Sequence, residues 1–221
     1  IHFATSKKNY RRLKKIPILN KSKIFFSGAT AIYQLNKFLK APHGINKYIE
    51  NLSKKYCLLT FHPVTKKSEP INELMEFCIK RLLKSKYRVL ITYPNNDKGF
   101  EYILNTIEKW KKNPNVFICK NLGIPAYYSA IYSSEFIIGN SSSGIIEAPY
   151  FKKNVLDVGS RQEGRDKDVS IYNTDANIKS LSAQLDRFIN KELTSPKCNE
   201  LYGNGKSNEI ISGVLKKEFY E

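Results

Sequence analysis

The segment Glu135–Tyr150 reads E-F-I-I-G-N-S-S-S-G-I-I-E-A-P-Y and indicates the fold class of the chain. An apolar run ends at Gly139, small hydroxyl residues follow, and a helix-like stretch begins. This order is typical of a parallel α/β protein, where a strand ends at the rim of the sheet and leads into a helix. A helix start presents unpaired N–H groups and a partial positive charge. The segment therefore predicts an anion-binding turn at the rim.

The same segment supplies five candidate ligand-binding residues. Ser141, Ser142 and Ser143 add hydroxyl donors, and Gly144 would let a ligand approach the backbone closely. Glu147 follows about one and a half helical turns later, where its carboxylate can accept hydrogen bonds from a sugar diol. A serine N-cap followed by a surface glutamate is the structural alternative.

Apolar segments recur along the chain with helical stretches between them. Residues 71–83 and 100–110 carry apolar residues at helical spacing. The segments predicted as strands are short and nearly uniformly apolar, as expected for strands buried on both faces. They are 24–26, 56–61, 87–92, 116–119, 136–139 and 155–158. The alternation predicts an α/β fold, a doubly wound Rossmann-like parallel sheet of about six strands with helices on both faces.

The domain organisation expected from the sequence has three parts. Residues 21–206 would form the Rossmann-like domain, with 191–206 as a polar, glycine-containing loop. Residues 1–20 would be the remnant of an N-terminal domain or linker. Residues 207–221 would form a terminal helix whose apolar face packs toward that missing domain.

The charge of the chain constrains its partners. The formal net charge is +17 and the isoelectric point is near 9.6. Such a balance can mark nucleic-acid binding, but here the lysines are spread along the chain, with one dense basic run between Lys7 and Lys15. We therefore expect no nucleic-acid partner. A positive field suits a multiply charged anionic substrate.

Cysteine usage and hydropathy address compartment and metal binding. The four cysteines lie far apart and form no C-x-x-C pair, so neither a zinc site nor a disulfide framework is expected. No apolar run reaches the roughly 18 residues that span a bilayer. We expect a cytoplasmic protein with no membrane partner, no metal and no cofactor.

Two further motifs follow predicted strands and should share the rim. His62, in T-F-H-P-V-T, is a candidate donor to a phosphate oxygen, although an isolated histidine is more often structural. Arg161 and Arg165, in G-S-R-Q-E-G-R, offer guanidinium forks suited to phosphate. Alternatively, the two arginines form a solvated surface pair.

A third loop, N-L-G-I-P-A-Y-Y at 121–128, follows the strand predicted at 116–119. The aromatic rings there offer a flat face on which a nucleobase can stack, and Tyr127 is the candidate. A core position is the structural alternative for these tyrosines.

Together, H-P-V-T, G-N-S-S-S-G-I-I-E-A-P and G-x-R-Q-x-G-R resemble the hydrolysing UDP-N-acetylglucosamine 2-epimerases. That family belongs to the glycosyltransferase B-like superfamily, with two Rossmann-like domains and the substrate between them. The motifs occur in the family's order, and the resemblance covers essentially the whole chain as the C-terminal part of such an enzyme. Ser160 stands where the family usually has aspartate.

The resemblance implies roles for individual residues. Ser141, Ser142 and Glu147 would hold the UDP phosphates and ribose, with Ser143 and Gly144 completing the same turn. His62 would lie at the diphosphate, Arg161 near the nucleotide and Tyr127 near the uracil. These residues form the expected UDP-binding set, with no metal ligand among them.

The resemblance also implies a reaction. UDP is eliminated across C1–C2 and water then adds, which gives N-acetylmannosamine and UDP for sialic-acid-like surface sugars. The catalytic acid and base are expected in the missing N-terminal domain, with His62 as a possible catalytic group in this chain. Residues 1–221 alone would then bind UDP without turnover. The alternatives are a non-hydrolysing epimerase, a glycosyltransferase C-terminal domain and a non-catalytic nucleotide-sugar binding module, and any of them could form a homo-oligomer.

Overall fold

The computed structural model describes residues 1–40, 52, 55–65, 67–194 and 196–220. The described chain begins with a small β–α–β unit and continues into a larger α/β sheet. In the small unit, β1 (His2–Ala4) and β2 (Ile24–Phe26) pair in parallel on either side of α1 (Lys7–Leu13). The Ser6 hydroxyl caps α1 by accepting a hydrogen bond from the Asn9 N–H at 3.2 Å. Helix α2 (Thr30–Lys40) follows.

Within the described residues, the main sheet has six strands, all paired in parallel. They are β3 (Tyr56–Thr60), β4 (Arg88–Thr92), β5 (Val116–Cys119), β6 (Ile137–Gly139), β7 (Val155–Val158) and β8 (Ile171–Thr174). The spatial order is β5-β4-β3-β6-β7-β8. The order of winding reverses between β3 and β6, and such a reversal is where α/β sheets commonly bind ligands.

The connecting helices cover both faces of this sheet. They are α3 (Ile71–Lys84), α4 (Phe100–Lys109), α5 (Gly123–Ser133), α6 (Ser142–Ile146), α7 (Ile178–Ile189) and α8 (Ser207–Phe219). Alternate residues of a strand point to opposite faces, and β3 shows this directly. Cys57 and Leu59 join a core with α3, α4 and α7, whereas Tyr56 and Leu58 join one with α2 and α5. The predicted doubly wound parallel fold is confirmed.

The membership of the sheet differs from the prediction. The segment 24–26 forms a strand as expected, but it pairs with β1 in a separate two-stranded sheet. The sixth strand of the main sheet is β8, which the sequence reading missed. Its sequence I-Y-N-T is half polar and only Thr174 is buried, because β8 is an edge strand paired on one side. β8 therefore lacks the continuous apolar run that predicts the other edge strand, β5, whose sequence is V-F-I-C.

The terminal helix α8 packs against α2, with part of its apolar surface exposed. Phe219 retains 68% of its accessible surface. The predicted terminal range ends at Glu221, which lies outside the described residues. The pairing of β1 with β2 crosses the boundary placed after residue 20. The three-part division and the missing-domain role of α8 stay predictions.

Candidate functional site

The candidate site lies where β3 and β6 end side by side. Gly139 closes β6 with a φ of +140°, and a Cβ added there would lie 1.8 Å from the Thr60 carbonyl oxygen. Only glycine therefore permits the strand ends to approach this closely. The next residue, Asn140, donates its backbone N–H to the same Thr60 oxygen at 3.1 Å. This contact brings the loop after β6 against the loop after β3.

His62 is held in the loop after β3 by three hydrogen bonds. Its backbone N–H donates to Asn140 Oδ1 at 2.7 Å, and its carbonyl accepts from Asn140 Nδ2 at 2.9 Å. The Asn95 N–H donates to His62 Nδ1 at 3.0 Å. Because Nδ1 accepts this bond, the proton of the neutral ring sits on Nε2.

The His62 imidazole is neutral at physiological pH. Burial, reinforced by the positive charge of Arg161, lowers its pKa to about 4. A neutral ring with its proton on Nε2 remains a hydrogen-bond donor. Binding an anion beside it would raise this pKa, because a negative charge stabilises the imidazolium.

The backbone carbonyl of Asn140 also accepts hydrogen bonds from two side chains of the loop after β7. Arg161 Nη1 donates to the Asn140 carbonyl at 3.1 Å, and Gln162 Nε2 donates to it at 2.8 Å. Asn140 has no accessible surface and Gln162 has 2%. Both residues lie within the motifs described above, but the sequence alone assigns neither of them a role. The available signal was a polar residue between a strand-ending glycine and the serine cluster.

Arg161 faces a cavity of about 440 Å³. Ser142, Pro63 and Arg165 also contribute to the wall of this cavity. The Arg161 guanidinium lies 3.9 Å from the Asp97 carboxylate, measured from Nη2 to Oδ2. Burial lowers the pKa of Arg161, while Asp97 acts in the opposite direction. The loops after β3, β6 and β7 thus converge on one cavity, as the motifs predicted.

Ser141 and Ser143 form a connected hydroxyl group with Tyr127. The Tyr127 hydroxyl hydrogen-bonds Ser143 Oγ, which lies 3.3 Å from Ser141 Oγ. Burial raises the pKa of Tyr127 to about 12, so the phenol stays protonated. Its half-buried ring packs against the core on the α2 side of the sheet. Tyr127 therefore supports the serine turn, and its predicted position near a base stays a prediction.

Glu147 follows α6 and is half-buried. Burial raises its pKa to about 7, so the carboxyl exchanges its proton near neutral pH. Among the described residues that form the 440 Å³ cavity, neither Glu147 nor Tyr127 is included. The structure therefore places Ser142, Arg161 and Pro63 of the His62 loop on the wall of that cavity. The other predicted site residues are not among the described residues that form it, namely His62, Tyr127, Ser141, Ser143, Gly144 and Glu147.

Helix α6 is shorter than the sequence pattern suggested. It has 5 residues and continues into a 3₁₀ turn at Ala148–Phe151. A helix this short develops little macrodipole, so the serine hydroxyls and first N–H groups are the relevant donors. Gly144 is buried, and a Cβ there would lie 3.1 Å from Val155 Cγ1. The structure thus explains this glycine by packing against β7, and its predicted ligand contact stays a prediction.

The side chain of Glu69 holds the loop after β7 through two hydrogen bonds to Ser160. The Glu69 Oε1 atom accepts from the Ser160 N–H at 2.9 Å and from the Ser160 hydroxyl. A second cavity, of about 860 Å³, adjoins this loop and shares Lys67, Ser160, Glu163 and Arg165 with the first. The site is therefore open toward a larger basic and polar depression.

Two features of the described residues bear on metals and membranes. All four cysteines are unpaired. Within the part of the chain that the structure describes, no three His, Cys, Asp or Glu side chains cluster as metal ligands would. In the same residues, no helix is both long enough and apolar enough to cross a bilayer.

The profile of the UDP-N-acetylglucosamine 2-epimerase family matches residues 1–216. A UDP-N,N'-diacetylbacillosamine 2-epimerase (hydrolyzing) from Legionella pneumophila is 30% identical over 217 residues, covering 97% of this chain and 57% of the relative. A GDP/UDP-N,N'-diacetylbacillosamine 2-epimerase (hydrolyzing) from Campylobacter jejuni is 30% identical over 198 residues, covering 87% of this chain and 50% of the relative.

The Staphylococcus aureus MnaA–UDP co-structure superimposes with a TM-score of 0.77 at 20% identity, over 99% of this chain and 59% of that one. The chain belongs to the UDP-N-acetylglucosamine 2-epimerase family, which confirms the resemblance seen in its motifs. It spans 57% and 50% of the lengths of the two relatives from Legionella pneumophila and Campylobacter jejuni.

Proposed function

We propose that this chain is the UDP-binding part of a hydrolysing 2-epimerase that acts on a UDP-linked 2-acetamido sugar. The observation that carries the proposal is the convergence of the His62 loop, Ser142 and Arg161 at one cavity, in a chain whose motifs and profile match the epimerase family. The diphosphate would lie against Arg161 and the serine hydroxyls, and the His62 Nε2–H would donate to a phosphate oxygen. The similarity to the Staphylococcus aureus MnaA–UDP co-structure supports a uridine nucleotide as the ligand.

The proposed reaction proceeds in two stages. A base removes the C2 proton while the C1–O bond breaks, so that UDP leaves and a C1=C2 double bond forms. Water then adds its hydroxyl to C1, and a proton returns to C2 on the opposite face. With UDP-N-acetylglucosamine, the products are N-acetylmannosamine and UDP, one of each per water consumed.

The residues described here would act on the leaving group. Negative charge accumulates on the diphosphate as the C1–O bond breaks, and fixed donors that are already oriented stabilise that charge. Arg161 supplies a positive charge, whereas neutral His62 and the serines supply hydrogen bonds. We propose that the groups that transfer the C2 proton lie outside residues 1–221, so that these residues alone bind UDP without turnover.

Two substrates are supported by different observations. UDP-N-acetylglucosamine is supported by the family match. A UDP sugar with a second acetamido group is supported by two relatives named for diacetylbacillosamine. A role in making sialic-acid-like surface sugars, the cytoplasmic location expected from the cysteines, and a homo-oligomeric state also remain proposals.

Binding can be tested by calorimetry with UDP. Arg161→Ala should weaken UDP binding roughly 10- to 150-fold, the equivalent of losing one charge-assisted hydrogen bond of about 1.5–3 kcal/mol. Arg187→Ala is the matched control, because Arg187 lies on α7 and bonds Gln184 there. UDP affinity that is unchanged in the Arg161 variant, or equally reduced in both, would contradict the site.

Catalysis can be tested with the full-length protein in deuterium oxide. Hydrolytic epimerisation predicts free UDP and N-acetylmannosamine (or its diacetamido equivalent) in equal amounts, with one deuterium at C2. A UDP-linked epimer without free UDP would indicate the non-hydrolysing reaction. Sugar transfer that requires an acceptor and leaves C2 unlabelled would indicate a glycosyltransferase, and UDP binding without any turnover would indicate a binding module.

A further inference from the structure

Asn140 connects three separate loops through one fully buried residue. Its side chain pairs with the backbone of His62 after β3, and its N–H extends the contact between β6 and Thr60. Its carbonyl accepts from Arg161 and Gln162 after β7. Each of its four polar groups is therefore engaged, as a residue without accessible surface requires.

The two side-chain hydrogen bonds of Asn140 allow only one orientation of its amide group. Oδ1 accepts from the His62 N–H at 2.7 Å, while Nδ2 donates to the His62 carbonyl at 2.9 Å. Rotating the amide by half a turn would oppose donor to donor and acceptor to acceptor, so one orientation is fixed. The pairing imitates one rung of a β-ladder and holds the His62 backbone just beyond the end of β3.

The same residue sets the position of the positive charge. Arg161 Nη1 donates to the Asn140 carbonyl at 3.1 Å, which directs one edge of the guanidinium toward the site. Gln162 shares that carbonyl and occupies the buried side of the loop. His62 and Arg161 therefore take their relative position from a single residue that lies between them.

We propose that Asn140 is a positioning residue for nucleoside diphosphate binding, because it fixes the His62 donor and the Arg161 guanidinium relative to one another. The inference rests on the proposed function, since it assigns both groups to the diphosphate. Asn140 itself is buried and does not touch the ligand in this arrangement. Its effect on the ligand is exerted through the two residues it holds.

Aspartate cannot replace Asn140, although the two side chains have nearly the same shape. Asn140→Asp keeps the acceptor for the His62 N–H but loses the donor to the His62 carbonyl. It also places a carboxylate in a buried network beside the His62 backbone, which stabilises the imidazolium and opposes a bound diphosphate. Both changes act on His62 and on the anion.

The test compares Asn140→Asp with Asn36→Asp. Asn36 lies on α2, away from the rim, and its Nδ2 donates to the Asn204 carbonyl at 2.8 Å. It is therefore the matched control. Asn140→Asp should weaken UDP at least tenfold and raise the pKa of His62, followed by NMR of its ring, from about 4 by about one unit or more. Asn36→Asp should change neither, although both variants can lose thermal stability.

The outcomes separate this inference from the proposed function. A wild-type protein that does not bind UDP contradicts the proposed function, whereas an unchanged UDP affinity in folded Asn140→Asp contradicts the positioning role. If Asn140→Asp does not fold, NMR of the wild-type protein during a UDP titration still tests the positioning role. The Asn140 side-chain NH₂ and His62 N–H signals should shift together when UDP is added, and signals that stay fixed while Arg161 responds would overturn the inference.

Discussion

At the residue scale, Tyr127 lies where two roles can be separated by experiment. Its hydroxyl bonds Ser143, whereas its ring packs against the core. If the hydroxyl orients the serines, Tyr127→Phe should weaken UDP and inorganic pyrophosphate by a similar factor of about five to ten, with uridine unaffected. If the ring stacks on the base, Tyr127→Phe should retain full affinity for both UDP and uridine. Calorimetry with the three ligands decides between the roles.

Glu147 gives a prediction about pH and ligand binding. Its pKa of about 7 means that it is partly protonated at neutral pH, and only the carboxylate can accept from both ribose hydroxyls. The ratio of UDP dissociation constants for Glu147→Gln and wild type should therefore grow from about one at pH 5.5 to about five or more at pH 8. UDP itself also changes protonation with pH. The test therefore uses the ratio of the two dissociation constants and not either constant alone. An equal loss of affinity for inorganic phosphate would contradict the ribose assignment.

The same carboxyl makes folding stability depend on pH. Its pKa is about 7 in the folded chain and 4.5 ordinarily, so between these values the folded state holds a proton that the unfolded state has lost. Stability therefore falls as the pH rises through this window and levels off above about 7. Glu147→Gln removes this penalty and should be more stable than wild type at pH 8 by roughly 1–3 kcal/mol, but not at pH 4.5. Urea unfolding at both pH values measures the difference.

At the element scale, the contact between the ends of β3 and β6 depends on Gly139. Gly139→Ala would place a methyl group 1.8 Å from the Thr60 carbonyl oxygen, and backbone must move to relieve it. We expect a loss of at least about 2 kcal/mol and a lower UDP affinity. Gly123→Ala is the matched control, because Gly123 also has a positive φ but nothing lies within 4 Å of its Cβ direction.

The control variant should cost about 1 kcal/mol, the price of the left-handed backbone alone. Equal losses in the two variants, measured by urea unfolding, would mean that crowding at Thr60 is unimportant. A Gly139 variant that loses stability but keeps wild-type UDP affinity would show that the strand contact does not position the site.

The central elements could be predicted from sequence because they are apolar on both faces. β7 is buried throughout and matches its predicted bounds, and α3 follows the predicted periodicity from Ile71. The edge strand β5 also matches its predicted bounds, because V-F-I-C is wholly apolar although partly exposed. The edge strand β8 could not be predicted, since its sequence I-Y-N-T includes Asn173 and Thr174 and lacks a continuous apolar run. Pairing of β2 with β1 depends on contacts that a strand's own composition does not encode.

The site could be predicted in part for similar reasons. Motifs that follow strands placed the loops of His62, Ser142 and Arg161 on one rim, because parallel strands end at the same edge. The role of Asn140 could not be read in the same way. It depends on partners from two other loops, and such pairing appears only once the chain is folded.

At the scale of the whole molecule, a net charge of +17 favours anionic ligands. Some basic side chains are paired with acidic ones, as in Lys8–Asp166 and Lys67–Glu163, and the net charge already includes these acids. The remaining field is screened by salt. UDP affinity should therefore fall several-fold between 50 and 500 mM NaCl, whereas uridine affinity should not change. Salt-independent UDP binding would mean that the field contributes little.

The pairing of β3 with β6 has a consequence for how the protein folds. The loops it joins contact each other at His62 and Asn140, which lie 78 residues apart in sequence. Forming such a distant contact costs loop-closure entropy, so we expect it to form late in folding. A ligand that contacts both loops would stabilise this late-forming contact between them. UDP should therefore slow amide hydrogen exchange at Asn140 and β6 more than along β4 and β5, and uniform slowing would indicate general stabilisation instead.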